Sequence, residues 1–258
     1  MKKSKYLETA IKAAKEAEKI ILKYYKKKNR ISLKKDLSPV SIADQKAEEA
    51  IIKTIRAVFP EHNILGEEGG DRKKQSEFTW IIDPIDGTKS YLRHIPLFAT
   101  EIALMKSEEI IVGVSNAPAL KEFLYAEKGK GAFCNDKKIL VSNIDKLFEA
   151  YFSFGGLKYF KRADLISQLV SLSKSNRGFR GIGEFWSYHL LAQGKIDVMI
   201  EACGTKIWDF AALTLIVKEA GGKVTDINGN DINIKTDSII ATNGKLHQKI
   251  VDRFKKIN

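Results

Sequence analysis

The run Trp80-Ile81-Ile82-Asp83-Pro84-Ile85-Asp86-Gly87-Thr88 constrains this chain more than any other stretch. Its apolar first half predicts a buried strand, and two carboxylates three residues apart follow at the strand's end. Gly87-Thr88-Lys89-Ser90 then opens a helix. A fold that accepts this run must bring a strand end, a tight turn and a helix start to one place. Carboxylate oxygens there suit a hard cation such as Mg2+, and backbone amides at a helix start attract an anion such as phosphate. Asp-Pro and Asp-Gly are also ordinary turn dipeptides, so on its own the stretch reads first as a plain turn.

Two other segments change that reading. Gly66-Glu67-Glu68-Gly69 lies upstream and Ile207-Trp208-Asp209-Phe210-Ala211-Ala212 downstream. Glu67, Asp83, Asp86 and Asp209 together supply four acidic groups from three distant segments, as a divalent-ion site requires, because no single segment can surround an ion. Each has a plainer role open to it. Glu67 and Glu68 read equally as solvated loop charges, Asp209 as an N-cap, and Asp44 as a favourable charge in a helix's first turn. It is the ordered set that points to a site.

Composition narrows the classes. The 258 residues, 44% of them hydrophobic, can build one large domain or two small ones. No apolar run of about 18 residues predicts a membrane span, and Met1-Lys2-Lys3-Ser4-Lys5 lacks the apolar stretch of a signal peptide. Cys134 and Cys203 form neither a metal-type pair nor a disulfide framework, so a cytoplasmic protein is expected. The net charge of +12 favours anionic partners. Its lysines are spread along the chain, however, and the small clusters at Lys26-Lys27-Lys28, Lys34-Lys35 and Lys73-Lys74 are not interleaved with aromatics. Nucleic-acid binding is therefore not expected.

Periodicity organises the rest. Leu7, Ala10, Ile11, Ala14, Ala17, Ile20, Ile21 and Tyr24 predict a helix from Tyr6 to about Lys27. Ser38-Pro39-Val40-Ser41 breaks it, and Ser41 caps a second helix from about Ile42 to Phe59, ended by Pro60. Asp71 to Glu77 reads as an exposed polar loop. Phe98 to Met105, Ile110 to Ala117, Glu122 to Ala126 and Gly131 to Phe133 predict an antiparallel sheet. Beyond Ser142 to Phe148, strands at Ala150 to Phe154, Val198 to Glu201, Lys223 to Asp226 and Ile239 to Ala241 alternate with helices. Those helices are Ala163 to Ser173, Glu184 to Gln193, Asp209 to Ala220 and Gly244 to Lys256. The expected organisation is an N-terminal α+β half over residues 1–145, carrying the antiparallel sheet, and a C-terminal α/β half over 146–258 that completes the site with Asp209.

Convergence of Glu67, Asp83, Asp86 and Asp209 would let two or more Mg2+ ions sit roughly 3.5–4 Å apart, as in two-metal hydrolytic sites. The four histidines show no H-E-x-x-H spacing, and no G-x-S-x-G elbow supports a serine nucleophile. Phosphatases that form an aspartyl-phosphate place one residue between their two Asp. Asp83 and Asp86 have two between them, with Pro84 after the first. Attack by metal-activated water is the mechanism this spacing favours.

The motifs Ala43-Asp44-Gln45-Lys46-Ala47-Glu48, Gly66-Glu67-Glu68, Asp83-Pro84-Ile85-Asp86-Gly87-Thr88, Trp208-Asp209-Phe210-Ala211-Ala212 and Glu219-Ala220-Gly221-Gly222 span residues 43 to 222. As an ordered set they resemble the inositol monophosphatase family within the fructose-1,6-bisphosphatase superfamily. The resemblance implies an α+β fold, a layered αβαβα sandwich, usually homodimeric, with the site between the two halves. It implies a Mg2+-dependent phosphomonoesterase using two or three ions and inhibited by Li+. It further implies that Glu67, Asp83, the Ile85 carbonyl, Asp86 and Asp209 bind metal. Thr88, Asp44 and Glu67 position and deprotonate the attacking water, and the Gly87 and Thr88 amides hold the phosphate.

Two departures bear on the substrate. Many inositol phosphatases have Asn and Gly where this chain has Ser90 and Leu213. Tyr91 to Thr100 and Gly183-Glu184-Phe185-Trp186-Ser187-Tyr188 look more like the histidinol-phosphate phosphatase branch. By that resemblance Glu184 contacts the amino or imidazole group of L-histidinol phosphate, Glu201 is a further substrate contact, and Trp186 is core packing. An inositol-1-phosphate phosphatase, or a broad sugar- or nucleotide-phosphate phosphatase, is the alternative on the same scaffold. A catalytically silent anion- or nucleic-acid-binding protein is the reading from another class, and unused clustered carboxylates, which repel one another, argue against it.

Overall fold

The computed structural model describes residues 2–25, 31–33, 39–72 and 74–255, with the side chains of 31–33, 39–41 and 70–72 left aside. The lysines at 26–28, 34–35 and 73 and the expected helix ends at Lys27 and Lys256 lie outside the described residues, and the expected Ser41 cap falls on one of the side chains left aside. The first half of the chain runs α1 (Lys5–Tyr25), β1 (Ile31–Leu33), β2 (Pro39–Ser41), α2 (Ile42–Arg56), β3 (Asn63–Gly66), β4 (Gly70–Arg72), β5 (Phe78–Asp86), α3 (Thr88–Leu92), β6 (Ala99–Lys106), β7 (Glu109–Ala117), β8 (Glu122–Glu127), β9 (Ala132–Cys134) and β10 (Lys137–Ile139). The second runs β11 (Tyr151–Phe154), α4 (Leu157–Arg162), α5 (Ile166–Ser173), β12 (Gly178–Arg180), α6 (Glu184–Ala192), β13 (Val198–Glu201), α7 (Ile207–Glu219), β14 (Lys223–Thr225), β15 (Ile239–Thr242) and α8 (His247–Phe254).

These elements stack in five layers, α, β, α, β, α. Helix α1 buries Leu7, Ala10, Ala14, Ala17 and Ile21 at helical spacing. With α2 it covers one face of an eight-stranded sheet ordered β10-β9-β8-β7-β6-β5-β3-β4. That sheet is antiparallel except where β3 runs parallel to β5. Its other face packs on α6 and α7, whose far sides lie on a five-stranded sheet ordered β12-β11-β13-β15-β14. Both helices are apolar nearly all round, as their sequences EFWSYHLLA and IWDFAALTLIVKE dictate for a layer buried between two sheets. Helices α4, α5 and α8 cover the outer face of the second sheet.

Several boundaries differ from the sequence reading. The helix expected over 163–173 begins only at Ile166, as α5, because Ala163 to Leu165 form a turn in which Asp164 takes a positive φ of 59°. The short α4 before that turn is an addition to the sequence reading. Helix α2 stops at Arg56, three residues short of Phe59, and loosens into turn hydrogen bonds from Val58 and Phe59 to the Ile55 carbonyl. The first two residues of the expected polar loop, Asp71 and Arg72, pair with β3 as the end of strand β4. Strands β10 and β12, three residues each, are too short to carry a period and were not expected. Helix α7 begins at Ile207, so Asp209 is its third residue and Lys206 its N-cap, which corrects the reading of Asp209 as the cap. Its carboxylate still serves the helix start: the Lys206 backbone N–H donates to Asp209 Oδ2 at 2.7 Å. Ala220 ends the helix, and Gly221 and Gly222 donate their N–H groups back to Lys218 and Val217, the termination that Gly-Gly predicts.

Candidate active site

An odd spacing is the first problem the site must solve. Side chains alternate across a strand, so residues three apart face opposite sides. The pairing of β5 with β6 removes the conflict. Asp83 lies opposite Glu101, but Asp86 lies opposite Ala99, so three steps on β5 match two on β6. The extra residue, a β-bulge at Pro84-Ile85, turns Asp86 to the face already occupied by Asp83. Glu101 is on that same face, because residues directly opposite in an antiparallel pair point the same way. Ile85 is left on the other side, buried in the core under α1 and α2.

The bulge is pinned by its own polar groups. The Ile85 N–H donates to Asp83 Oδ1 at 2.9 Å, and the Thr100 hydroxyl donates to the Pro84 carbonyl at 2.9 Å. Gly87 follows with φ 84°, and a Cβ there would meet the Leu97 carbonyl oxygen at 2.6 Å. Only glycine makes this turn without strain. Helix α3 starts at once, and the Thr88 hydroxyl lies 3.0 Å from the Ile85 carbonyl oxygen and 3.5 Å from Oδ1 of the fully buried Asp44. The Glu67 loop is held from α2. Glu48 Oε2 accepts the Glu68 N–H at 3.0 Å, and a Cβ on Gly66 would fall 2.5 Å from the same carboxylate. From the other side, the Phe185 N–H at the start of α6 donates to Asp86 Oδ2 at 3.0 Å.

The four acidic groups from three segments are thus brought into one electrostatic cluster. Burial, then the charges of Glu67, Asp86 and Asp209, hold the Asp83 carboxyl well above its ordinary range, and it shares a hydrogen bond with Glu67. Burial, then Glu184, Asp209 and Glu101, raises Asp86, against the opposing pull of the Phe185 amide. Among the described residues no three acidic, histidine or cysteine side chains are already closed around one point. The donors are nonetheless hard oxygens throughout, crowded and mutually repulsive, so a divalent cation is the partner they fit.

A cleft of about 380 Å³ opens beside this cluster. Asp86 and Asp209 form part of its wall, and Lys89, Glu184, Tyr188 and Glu201 line it further out. Both expected substrate contacts therefore face it. Burial, then Asp209 and Glu184, pushes the Glu201 carboxyl up to about 8. Its carboxylate lies directly over Gly155, where a Cβ would collide with Oε2. Glu184, the first residue of α6, takes φ 51°, a left-handed conformation uncommon for this residue type. Partial burial raises its carboxyl and Lys89 opposes the rise. Trp186 is half-buried against the core between the two sheets.

Sequence reasoning missed Glu101. It is 1% exposed, and burial, moderated by Ser115 and reinforced by Asp209, moves its carboxyl to about 8. The Ser115 hydroxyl donates to Glu101 Oε1 at 2.6 Å and lies 2.6 Å from His189 Nε2. His189 Nδ1 in turn lies 3.0 Å from Glu122 Oε2. The available signal was a lone charge in the middle of an otherwise apolar strand, Phe98 to Met105. Tyr188 and Lys89 were also passed over as wall residues.

Similarity to known proteins agrees with this fold. The model of the inositol monophosphatase family matches residues 2–258. A histidinol-phosphatase of Mycobacterium tuberculosis is 37% identical over 230 residues, covering 87% of this chain and 88% of that protein. A fructose-1,6-bisphosphatase/inositol-1-monophosphatase of Thermotoga maritima is 37% identical over 218 residues, covering 82% and 80%. Among solved structures, the extragenic suppressor protein suhB of Bartonella henselae superposes with a TM-score of 0.91 at 32% identity, covering 99% of this chain and 100% of that one. Among the described residues no helix is long and apolar enough to cross a membrane.

Proposed function

The chain belongs to the inositol monophosphatase family and is a phosphoric monoester hydrolase, and we propose that it is a Mg2+-dependent enzyme that hydrolyses L-histidinol phosphate. The observation that carries the choice of substrate is the pair Glu184 and Glu201 on the wall of the cleft. Two carboxylates beside a phosphate site can accept hydrogen bonds from a polyol's hydroxyls, but a substrate that carries an ammonium and an imidazole adds charge pairing to those bonds. The relative named histidinol-phosphatase supports the same reading. The Thermotoga relative, at the same identity, favours inositol 1-phosphate as the second reading.

In this reading Glu67, Asp83, the Ile85 carbonyl, Asp86 and Asp209 hold two or three Mg2+, with Li+ as an inhibitor. The bound ions supply Lewis acidity at the phosphoryl oxygens and make water acidic near neutral pH. The chain's own groups do the rest. The Gly87 and Thr88 amides hold the phosphate against the start of α3. The attacking water gives a proton to the Thr88 oxygen as the Thr88 hydroxyl proton passes to Asp44, 3.5 Å away. The water oxygen bonds to phosphorus, the ester P–O bond breaks on the opposite side, and the leaving alkoxide takes a proton from solvent. Glu184 and Glu201 bind the cationic end of the substrate. The working unit is a homodimer, and the Asp209-bearing half from residue 146 onward completes the site begun by residues 1–145.

The test is phosphate release with Mg2+, comparing kcat/KM for L-histidinol phosphate and myo-inositol 1-phosphate. A preference of about a hundredfold for the first, roughly 2.7 kcal/mol of discrimination, is expected. A preference for the second transfers the proposal to the inositol phosphatase reading.

A further inference from the structure

Glu101 poses a question that the five ligands named above leave unanswered. A carboxylate that is 1% exposed ordinarily has both oxygens satisfied. Here Oε1 is taken by Ser115 at 2.6 Å, whereas Oε2 has no hydrogen-bond partner among the described residues. Glu101 stands directly opposite Asp83 on the neighbouring strand and interacts electrostatically with Asp86 and Asp209. Packing alone does not account for it, since a buried charge beside three others destabilises the fold unless something positive compensates. Hydrophobic residues occupy the neighbouring positions on the same face, Ala99 and Ala103.

The Ser115 contact shows how the side chain is aimed. Ser115, on β7, is itself fully buried and held 2.6 Å from His189 Nε2, and His189 is held by Glu122 at 3.0 Å. This chain of contacts, anchored on α6 and β8, fixes one oxygen of Glu101 and leaves the other for the acidic cluster.

We infer that Glu101 is an additional positioning carboxylate for the cation, its free Oε2 accepting hydrogen bonds from water in the cation's outer shell. The inference rests on the Mg2+ reading above and adds, around its ligand set, a residue from β6. It predicts that Glu101 contributes to cation affinity without stabilising the metal-free fold. Replacement by glutamine keeps the size and the acceptor for Ser115, but presents either a neutral oxygen or an N–H where the carboxylate stood.

The experiment measures Mg2+ binding by calorimetry and by Mg2+-dependent thermal shift on chelator-treated protein, comparing wild type, Glu101→Gln, Ser115→Ala and Asp83→Asn. Glu101→Gln is expected to weaken Mg2+ binding about tenfold while the metal-free protein melts at or above the wild-type temperature. A residue with a purely structural role would lower that temperature and leave the affinity alone. Ser115→Ala, which frees the carboxylate without removing it, is expected to weaken binding two- to threefold. Its response decides the matter if Glu101→Gln does not fold. Wild-type affinity in Glu101→Gln, or in Ser115→Ala where only that variant folds, overturns the inference, and loss of binding in Asp83→Asn then leaves the Mg2+ reading standing. No Mg2+ binding by the wild-type protein overturns both.

Discussion

On one face of the β5–β6 pair, Trp80, Ile82, Ile85, Ile102 and Leu104 pack under α1 and α2. On the other, Ile81, Ala99 and Ala103 share the surface with Asp83, Asp86 and Glu101. The backbone is common to both, yet the two faces contribute oppositely to the metal-free protein. The apolar face stabilises it in proportion to the area removed from water. The acidic face gathers charges that raise one another's proton affinity and must be neutralised by protons or a cation. A single strand pair thus holds the fold with one side and is poised for a ligand with the other.

The sharpest way to break the comparison is Asp83→Asn. Turnover is expected to fall by about 10⁴-fold, roughly 5 kcal/mol of transition-state stabilisation, in a protein whose circular dichroism spectrum is unchanged. Near-normal activity would remove Asp83 from the site.

The next effect separates the faces by pH. Glu101 has an ordinary value of 4.5 and sits at about 8 in the fold, and Glu201 moves in the same direction. A raised carboxyl holds its proton more tightly in the folded state. Its contribution is therefore complete below pH 4.5 and is lost as pH rises to 8. In chelator, stability should decline between pH 5 and pH 8 by on the order of 4 kcal/mol for a fully buried group. Saturating Mg2+ should flatten the decline. Urea unfolding at both pH values, with and without Mg2+, measures this, and a flat profile in chelator would contradict the buried acidic face.

On the apolar side, Ile102→Ala should cost about 3 kcal/mol of stability and leave kcat/KM per folded molecule within about threefold. A large loss of activity at unchanged stability would show the two faces to be coupled. The smallest effect is at the cleft's edge, where Glu184→Gln should raise KM for L-histidinol phosphate about tenfold, about 1.4 kcal/mol, with little change for myo-inositol 1-phosphate. Equal KM values for variant and wild type would release Glu184 from substrate binding.

The same two faces show where sequence reading succeeds and where it stops. Apolar patterning marked α1, β6 and β7, because each buries one stripe or face and the pattern is local, and the breaks at Ser41 and Pro60 marked α2. The motifs around Glu67, Asp83 and Asp209 were legible because their residue types are chemically unusual at strand ends and helix starts. The parallel pairing of β3 with β5 was not legible, being a long-range choice with no local signature. Nor was the agreement in direction of Asp83 and Asp86, since a period of two places residues three apart on opposite faces. Glu101 was hidden for a related reason: its importance comes from being opposite Asp83, and register is invisible in a single strand. Glu48 was legible only as the last residue of the Ala43–Glu48 motif, and the packing of Gly66 and Glu68 on its carboxylate has no local signature.

The irregularity at Pro84-Ile85 makes the site sensitive to counting rather than to composition. Regularising the strand at its present length would send the second carboxylate into the greasy side of the sheet, even with every acidic residue still in the gene. Losing one residue would keep both carboxylates on one face but remove the bulge that presents the Ile85 carbonyl to Thr88. Length changes should therefore be tolerated at the hairpin tip around Asn135-Asp136 and rejected between residues 83 and 86, whatever residue is added or lost. The same holds for anyone moving this chemistry to another scaffold. What has to be transplanted is a flaw in a strand, and the acids come into position only once that flaw is in place.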